Sequence, residues 1–324
     1  MSHEPEPPCP PDPLFVLRGS KDAVNCVRFY KSTDEKGRLL SGCGCGEVRL
    51  WNLETRRAEA VLDGHSGKSV LSVSPLDKSQ IVSQGRDGQI LTWETAEGRR
   101  DVISSIETNG LSFCRCSVYQ EGSPLVAAPG QDSDVHVIDL LNKSTVCSLR
   151  ADKDVKAFGM PMCIKFISAS KLLVGYEAGQ VALWDINTRK MLANKKLHSE
   201  PVMSLDYSIL SERGVSGSAD DKLLTWTCKE AGLTVTSEST LTNPGLSDVC
   251  VRHDNRILAT AGWDSRIRVF GWKKLKPLAV LSYHRATVNS VSFSEPLPSF
   301  NFSQLLAAGS KDKHISLWSL YNPS

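Results

Sequence analysis

The chain of 324 residues is 40% hydrophobic and 23% charged, which is ordinary for a globular protein. Its 38 basic and 36 acidic residues leave a net charge of +2, so we expect no nucleic-acid partner. No apolar run approaches the roughly 20 residues that span a bilayer, and the N-terminus lacks the pattern of a secretory signal. We therefore expect no membrane partner and a cytoplasmic and nuclear location, where the ten cysteines stay reduced.

Proline dominates the start of the chain. Six of the first 13 residues are proline, which fixes φ and lacks a backbone N–H donor. We predict that residues 1–13 form a disordered tail. The segment that follows, LFVLRG at 14–19, has the pattern of a single isolated strand.

A similar phrase recurs through the rest of the chain, and each copy ends on a large apolar residue. Upstream of these anchors, short segments such as VNCVRF and VNSVSF alternate in polarity, as strands with one buried face do. Short strands without a credible long helix predict an all-β array of seven units. The anchors, 42 to 48 residues apart, are Trp51, Trp93, Ile138, Trp184, Trp226, Phe270 and Trp318.

Polar residues recur at fixed distances before these anchors. Because a catalytic site occurs once in a chain, residues that recur unit after unit are predicted to be structural. An aspartate stands six residues before the anchor at Asp87, Asp132, Asp220, Asp264 and Asp312. A hydroxyl stands ten residues before it at Ser41, Ser83, Ser216 and Thr260.

These units resemble WD40 repeats, whose period of about 40–45 residues builds four-stranded propeller blades. Gly64-His65 and Trp184-Asp185 match the two ends of that family's signature. The resemblance implies an all-β fold, a single seven-bladed WD40 β-propeller over residues 14–324. We expect residues 14–19 to close the ring as the outer strand of the last blade, which removes exposed strand edges.

In WD40 repeats a histidine, a hydroxyl, an aspartate and a tryptophan hydrogen-bond in series across a blade. The resemblance implies this structural tetrad in two complete units and part of it in two others. A Ser–His–Asp hydrolase triad is the alternative, and the recurrence argues against it. The complete sets are His65, Ser83, Asp87 and Trp93, and His198, Ser216, Asp220 and Trp226; the partial sets are Thr260 with Asp264, and Asp312 with Trp318.

Loop residues that the repeat does not explain are the candidate partner contacts. The residue before each turn aspartate is expected on the propeller face from which the loops between blades also emerge. Trp263 is favoured because aromatic residues are enriched at binding hot spots, with packing against the neighbouring blade as the alternative. The candidates are Trp263, Arg86 and Lys311 in turns, and Met160, Pro161, Met162, Glu200, Pro201, Asn243 and Pro244 in loops between blades.

No phosphate-binding loop, nucleophile elbow or metal-ligand pattern stands in the sequence. We therefore predict a monomeric, non-catalytic scaffold or adaptor for protein partners, without cofactor or metal. One alternative is a channel-binding enzyme, but VNCVRF and VNSVSF, as innermost strands, carry no carboxylate pair. Another is a substrate receptor of a ubiquitin ligase, which is disfavoured because Asn187 stands where that family's arginine would follow Trp184.

Longer phrases, among them GMPMC at 159–163 and ATAGWDSRIRVF at 259–270, resemble one subfamily of WD40 adaptors. That resemblance implies a role with the Tel-two/Tti co-chaperone assembly in the maturation and stability of phosphatidylinositol-3-kinase-related kinases. The long N-terminal helix with which G-protein β subunits bind their γ subunit is absent, so no γ partner is expected.

Overall fold

The computed structural model describes residues 11–31, 36–108, 112–150, 157–229, 232–301 and 303–322. Within these residues nearly all regular structure is β-strand, and the helical segments are two short 3-10 turns at Ala96–Gly98 and Pro298–Phe300. The strands form seven four-stranded antiparallel sheets, which confirms the seven-bladed propeller. Residues 1–10 lie outside the described residues, so the disorder of residues 1–13 stays a prediction.

The first three blades follow one another along the chain. Blade 1 contains β2 (Val24–Lys31), β3 (Gly37–Cys43), β4 (Glu47–Asn52) and β5 (Arg57–Asp63). Blade 2 contains β6 (Val70–Pro75), β7 (Gln80–Gly85), β8 (Gln89–Glu94) and β9 (Asp101–Glu107). Blade 3 contains β10 (Ser117–Tyr119), β11 (Leu125–Pro129), β12 (Val135–Asp139) and β13 (Ser144–Leu149).

The remaining four blades include the one that closes the ring. Blade 4 contains β14 (Pro161–Ser168), β15 (Lys171–Tyr176), β16 (Gln180–Asp185) and β17 (Lys190–Lys196). Blade 5 contains β18 (Val202–Ser208), β19 (Arg213–Ser218), β20 (Lys222–Lys229) and β21 (Gly232–Thr240). Blade 6 contains β22 (Leu246–Val251), β23 (Ile257–Gly262), β24 (Ile267–Gly271) and β25 (Pro277–Leu281). Blade 7 contains β26 (Val288–Phe293), β27 (Leu305–Ser310), β28 (Ile315–Ser319) and β1 (Phe15–Leu17).

The hydrophobic core lies between blades. In β4 every residue is buried, because both faces of this middle strand meet a neighbouring blade, whereas the outer strand β5 alternates towards solvent. Trp93 of blade 2, for example, shares one apolar cluster with Val48 and Leu62 of blade 1. Each blade therefore completes the core of the next.

The first strand of the chain closes the ring. β1 pairs antiparallel with β28, with Phe15 opposite Leu317 and Leu17 opposite Ile315. Phe15 and Leu17 are buried in the cluster between blades 7 and 1. This confirms the predicted closure by an N-terminal outer strand.

We expect a chain that starts at residue 20 to be less stable than one that starts at residue 13. The shorter chain loses β1 and two buried side chains, at about 1.5–3 kcal/mol each, and exposes the edge of β28. The chain that starts at residue 13 keeps the strand and should melt close to the full-length protein. Equal melting temperatures for the two truncations would contradict the closure.

Candidate functional site

Blades 2 and 5 each contain a complete chain of four hydrogen-bonded side chains. In blade 2, His65 lies with Nδ1 2.9 Å from Asp87 and Nε2 2.8 Å from the Ser83 hydroxyl, which also accepts from Trp93 Nε1 at 2.8 Å. A carboxylate only accepts, so the histidine proton lies on Nδ1 and Nε2 accepts from the serine. Each N–H and O–H donor along the chain then has an acceptor.

Blade 5 repeats this arrangement. His198 lies with Nδ1 3.1 Å from Asp220 and Nε2 2.9 Å from Ser216, and Trp226 donates to the same serine at 3.2 Å. Burial acts to raise the pKa of the Asp220 carboxyl. The hydrogen bonds from His198 and from the backbone N–H of Lys222 outweigh burial and hold that pKa below its ordinary value.

In blade 7 the hydroxyl comes from a different strand. His284 bridges Asp312 at 2.9 Å and Ser316 at 2.8 Å, and Ser316 accepts from Trp318 at 2.8 Å. The position ten residues before Trp318 is Ala308, which pairs directly with Ser316 across the ladder of β27 and β28. The spacing rule missed Ser316 because the hydroxyl can be supplied from either strand of the pair.

Blades 1 and 4 lack the full tetrad but keep the hydrogen bond from the tryptophan N–H to a hydroxyl. Trp51 donates to Ser41 at 2.8 Å in blade 1, and Trp184 donates to the phenolic oxygen of Tyr176 at 3.1 Å in blade 4. Tyr176 stands eight residues before its tryptophan and so escapes a search at ten. Asp132 of blade 3 is exposed, in a left-handed conformation, and takes no such role.

Thr260 and Asp264 do not form the partial tetrad expected in blade 6. Asn243, in the loop before this blade, donates from its side-chain amide to the Asp264 carboxylate at 2.9 Å. The Arg268 guanidinium donates two hydrogen bonds to the same carboxylate, at 3.0 and 2.6 Å. The Thr260 hydroxyl instead reaches the Arg268 carbonyl at 3.5 Å. The side chain of Phe270, at the anchor position, has no N–H to donate to a hydroxyl. The ion pair between Asp264 and Arg268 therefore takes the place of the tetrad in this blade.

The turn candidates share a face with the loops that join the blades. The backbone N–H of Arg86 donates to Ser69 in the loop before blade 2, and that of Lys311 donates to Thr287 in the loop before blade 7. We call this surface, made by the loops between blades and the turns between second and third strands, the loop face. Both side chains are exposed on it.

The side chain of Trp263 is partly exposed to solvent. Its side chain is 44% exposed, and its backbone N–H donates to Gly245 at 3.0 Å. Gly245 has φ of +94°, and a Cβ there would stand 2.2 Å from ring atom Cε3 of Trp263. The ring therefore rests on glycine backbone within its own blade, and its outer part stays free for contact.

A second aromatic on the loop face was missed by the sequence analysis. Phe113, in the loop before blade 3, is 66% exposed, and the guanidinium of Arg86 lies 4.4 Å from its ring centroid. Such a cation–π contact orders both side chains. The sequence signal was a lone phenylalanine between predicted strands, outside the repeat.

The loops between blades divide into exposed and covered residues. Met160, Glu200, Asn243 and Pro244 are exposed, and Pro201 is half-buried. Pro161 is not a contact candidate, because it begins β14 and is buried, which corrects the prediction. Met162, on the same strand, is half-buried and lines the central channel instead.

A channel of about 1200 Å³ runs between the innermost strands of the blades. The strands VNCVRF and VNSVSF carry no carboxylate, but two other innermost strands each carry one. Asp206 and Asp248 lie on different strands, so no single segment displays a carboxylate pair, and only the closed ring brings the two together. Five charged residues of the channel lining form one cluster: Arg28 on β2, Arg115 before β10, Lys165 on β14, Asp206 on β18 and Asp248 on β22.

Asp248 is the most enclosed of these charges. It accepts from the hydroxyls of Ser204 and Ser290, each at 2.9 Å, and lies 3.1 Å from Arg115. Burial acts to raise the pKa of this carboxyl, but Arg115 and Arg28 outweigh it, so the pKa is lowered and Asp248 stays ionised. On the neighbouring strand, Asp206 pairs with Lys165 at 2.9 Å.

In the described part of the chain, no three histidine, cysteine or acidic residues group as metal ligands would. No helix among the described residues is long and apolar enough to cross a bilayer.

Comparison with known proteins agrees with this architecture, which defines a WD40-repeat β-propeller. The family profile described as WD40, WD domain, G-beta repeat, matches residues 11–52, 236–271 and 275–319. The fold is similar to the β-propeller domain of Cps50 (Swd1) from Myceliophteria thermophila, with a TM-score of 0.79 and 17% identity over 95% of this chain and 99% of that one.

Two curated relatives match over almost their full length. The chain is 42% identical to guanine nucleotide-binding protein subunit beta-like protein 1 of Mus musculus, over 97% of this chain and 98% of that protein. It is 28% identical to ASTRA-associated protein 1 of Schizosaccharomyces japonicus, over 96% of this chain and 99% of that protein. The chain therefore belongs to the WD40-repeat family that includes guanine nucleotide-binding protein subunit beta-like protein 1.

We expect Asp87→Ala and Asp220→Ala each to lower the free energy of unfolding by about 1–3 kcal/mol, because each leaves a buried histidine N–H without an acceptor. Asp221→Ala is the matched control and should change it by less than about 0.5 kcal/mol. Urea unfolding of the three variants measures this. A neutral effect of Asp220→Ala would contradict the role of the tetrad.

The stability contribution of Asp220 should depend on pH. Its pKa is lowered in the folded state, so its contribution is complete above the ordinary value of about 3.9 and is lost as the pH falls below that. The difference in unfolding free energy between wild type and Asp220→Ala should therefore be largest near neutrality and shrink below about pH 4. A difference that stays constant across this range would contradict the ionised carboxylate.

Proposed function

We propose that this protein is a non-catalytic scaffold that binds protein partners through its loop face. The observation that carries the proposal is the position of Trp263, whose side chain is 44% exposed and packs on the backbone of Gly245. A core residue would be covered, whereas a hot-spot residue is presented in a fixed orientation. Phe113 and Met160 extend the exposed apolar surface on the same face.

The scaffold role is also supported by how the polar residues are used. Histidine, serine and aspartate, the residue types of a hydrolase triad, recur in blades 2 and 5, where they link the strands of a blade. The channel carboxylates Asp206 and Asp248 are bound by cations. No catalytic step is therefore proposed for either group.

The proposed partners are the Tel-two/Tti co-chaperone assembly and, through it, phosphatidylinositol-3-kinase-related kinases. Support comes from the resemblance of the GMPMC and ATAGWDSRIRVF phrases and from a relative named for its association with ASTRA. The protein would act as a monomeric adaptor in cytoplasm and nucleus. Its contribution would be to present the loop face to the co-chaperone.

We expect Trp263→Ala to fold normally and to lose most of its association with the co-chaperone. Burial of an aromatic at an interface contributes at least about 2 kcal/mol at a hot spot, which corresponds to a roughly thirtyfold loss of affinity. Affinity purification from cells, with quantification of the Tel-two and Tti subunits, measures the loss. Melting temperature is measured on the same samples.

Two variants control this experiment. Leu192→Ala removes a side chain of similar exposure, 48%, from the outer strand β17, and should bind normally. Asp264→Ala should lose stability because it leaves Arg268 unpaired. If Trp263→Ala binds as well as Leu192→Ala does, the interface does not include the loop face at blade 6.

A further inference from the structure

Arg115 crosses the central channel close to the loop face. It belongs to blade 3, yet its guanidinium donates to the carbonyls of Asn25 in blade 1 at 2.9 Å and Asn289 in blade 7 at 2.7 Å. The same guanidinium pairs with Asp248 of blade 6. Because blades 6 and 7 lie across the ring from blade 3, the side chain forms a bar across the channel.

Within the cluster of five charges, the cations are more exposed than the carboxylates. The side chains of Arg28 and Lys165 are 40% and 41% exposed, whereas those of Asp248 and Asp206 are 5% and 11% exposed. The carboxylates are thus withdrawn into the wall and the cations project into the channel. Three cations, with Arg115, face two carboxylates, so the cluster has a net charge of +1.

The carboxylates are already satisfied by the protein itself. Asp206 accepts from the backbone N–H groups of Tyr207 at 2.9 Å and Val251 at 2.8 Å, in addition to Lys165. Asp248 likewise accepts backbone N–H groups as well as two serine hydroxyls. The two carboxylates therefore do not need all the hydrogen-bond donors of Arg28 and Lys165.

Arg28 and Lys165 keep donor capacity towards the lumen. Arg28 uses only Nη1 for its hydrogen bonds within the described residues, to the carbonyls of Val27 and Val291 at 3.1 and 3.3 Å. The Lys165 ammonium, with three N–H donors, has Asp206 as its partner there. Asp206 raises the pKa of Lys165, while burial and the nearby positive charge of Arg28 oppose the rise. An anion between the two cations would relieve that repulsion.

The size and walls of the channel suit a small molecule. Its volume of about 1200 Å³ is somewhat above the range of about 300–1000 Å³ typical of ligand pockets, so a small molecule fits inside it. Phe29, Tyr119 and Tyr207 are partly exposed and contribute aromatic parts of the wall. Apolar groups beside the cations lower the local dielectric constant, which strengthens the attraction between an anion and the cations.

We propose that the central channel binds a small phosphate- or carboxylate-bearing molecule, with its anionic group held between Arg28 and Lys165 beneath the Arg115 bar. This site is separate from the loop face and does not rest on the proposed scaffold function. It supplies binding groups only and involves no covalent step.

Isothermal titration of the full chain with inorganic pyrophosphate and with citrate, at ionic strength matched with sodium chloride, tests the proposal. We expect saturable binding of one of the two anions to wild type, which also separates phosphate from carboxylate recognition. Lys165→Gln should weaken binding by about tenfold to a hundredfold, the loss expected for one bond to a charged group. Lys195→Gln, on the outer strand β17, is the matched control and should bind as wild type does.

Lys165→Arg keeps the charge and should retain most of the binding, which separates lost binding from lost folding. Melting temperatures of all variants without anion complete the comparison. The proposal is overturned if neither anion binds wild type at millimolar concentration. It is also overturned if Lys165→Gln, still folded, binds as tightly as Lys195→Gln.

Discussion

Each blade of this propeller buries both faces of its middle strands against its neighbours, so no blade holds a complete core of its own. Trp93 is an example, because its indole belongs to blade 2 and packs on apolar side chains of blade 1. Stability therefore depends on an unbroken ring. The pairing of β1 with β28 joins the two ends of the chain and completes the ring. Phe15 and Leu17 of β1 pack in the hydrophobic cluster between blades 7 and 1.

The same stacking explains why the polar tetrads tolerate changes of position. What each blade needs is a hydroxyl at the buried tryptophan N–H, since an unpaired donor there is costly. Ser83 supplies it from the second strand, Ser316 from the third, and Tyr176 from a longer side chain. Where the anchor is Phe270 the need disappears, and the turn is held by the pair of Asp264 and Arg268. Degenerate repeats thus keep the blade geometry by different bonds.

Ring closure also creates surfaces that no single blade has. The loop face collects one turn and one loop from every blade, so Trp263, Phe113 and Met160 become parts of one surface. The channel collects one inner strand from every blade, so single charges become a cluster with buried carboxylates and projecting cations. A fold built for stacking therefore offers two chemically different sites, one apolar and outward, the other charged and enclosed.

The sequence by itself determined the number of blades and the strand that closes them. These features follow from local periodicity, since anchor spacing and strand alternation repeat within each unit. The tertiary structure decided the rest, including the burial of Pro161, the hydroxyls of Ser316 and Tyr176, and the channel cluster. The spacing rule missed the two hydroxyls because they stand at other positions than ten residues before the tryptophan. The channel cluster depends on contacts between distant segments; Arg115 and Asn289, for example, are 174 residues apart. Short-range spacing carries no signal for such pairs, because only the closing of the ring brings them within hydrogen-bond distance.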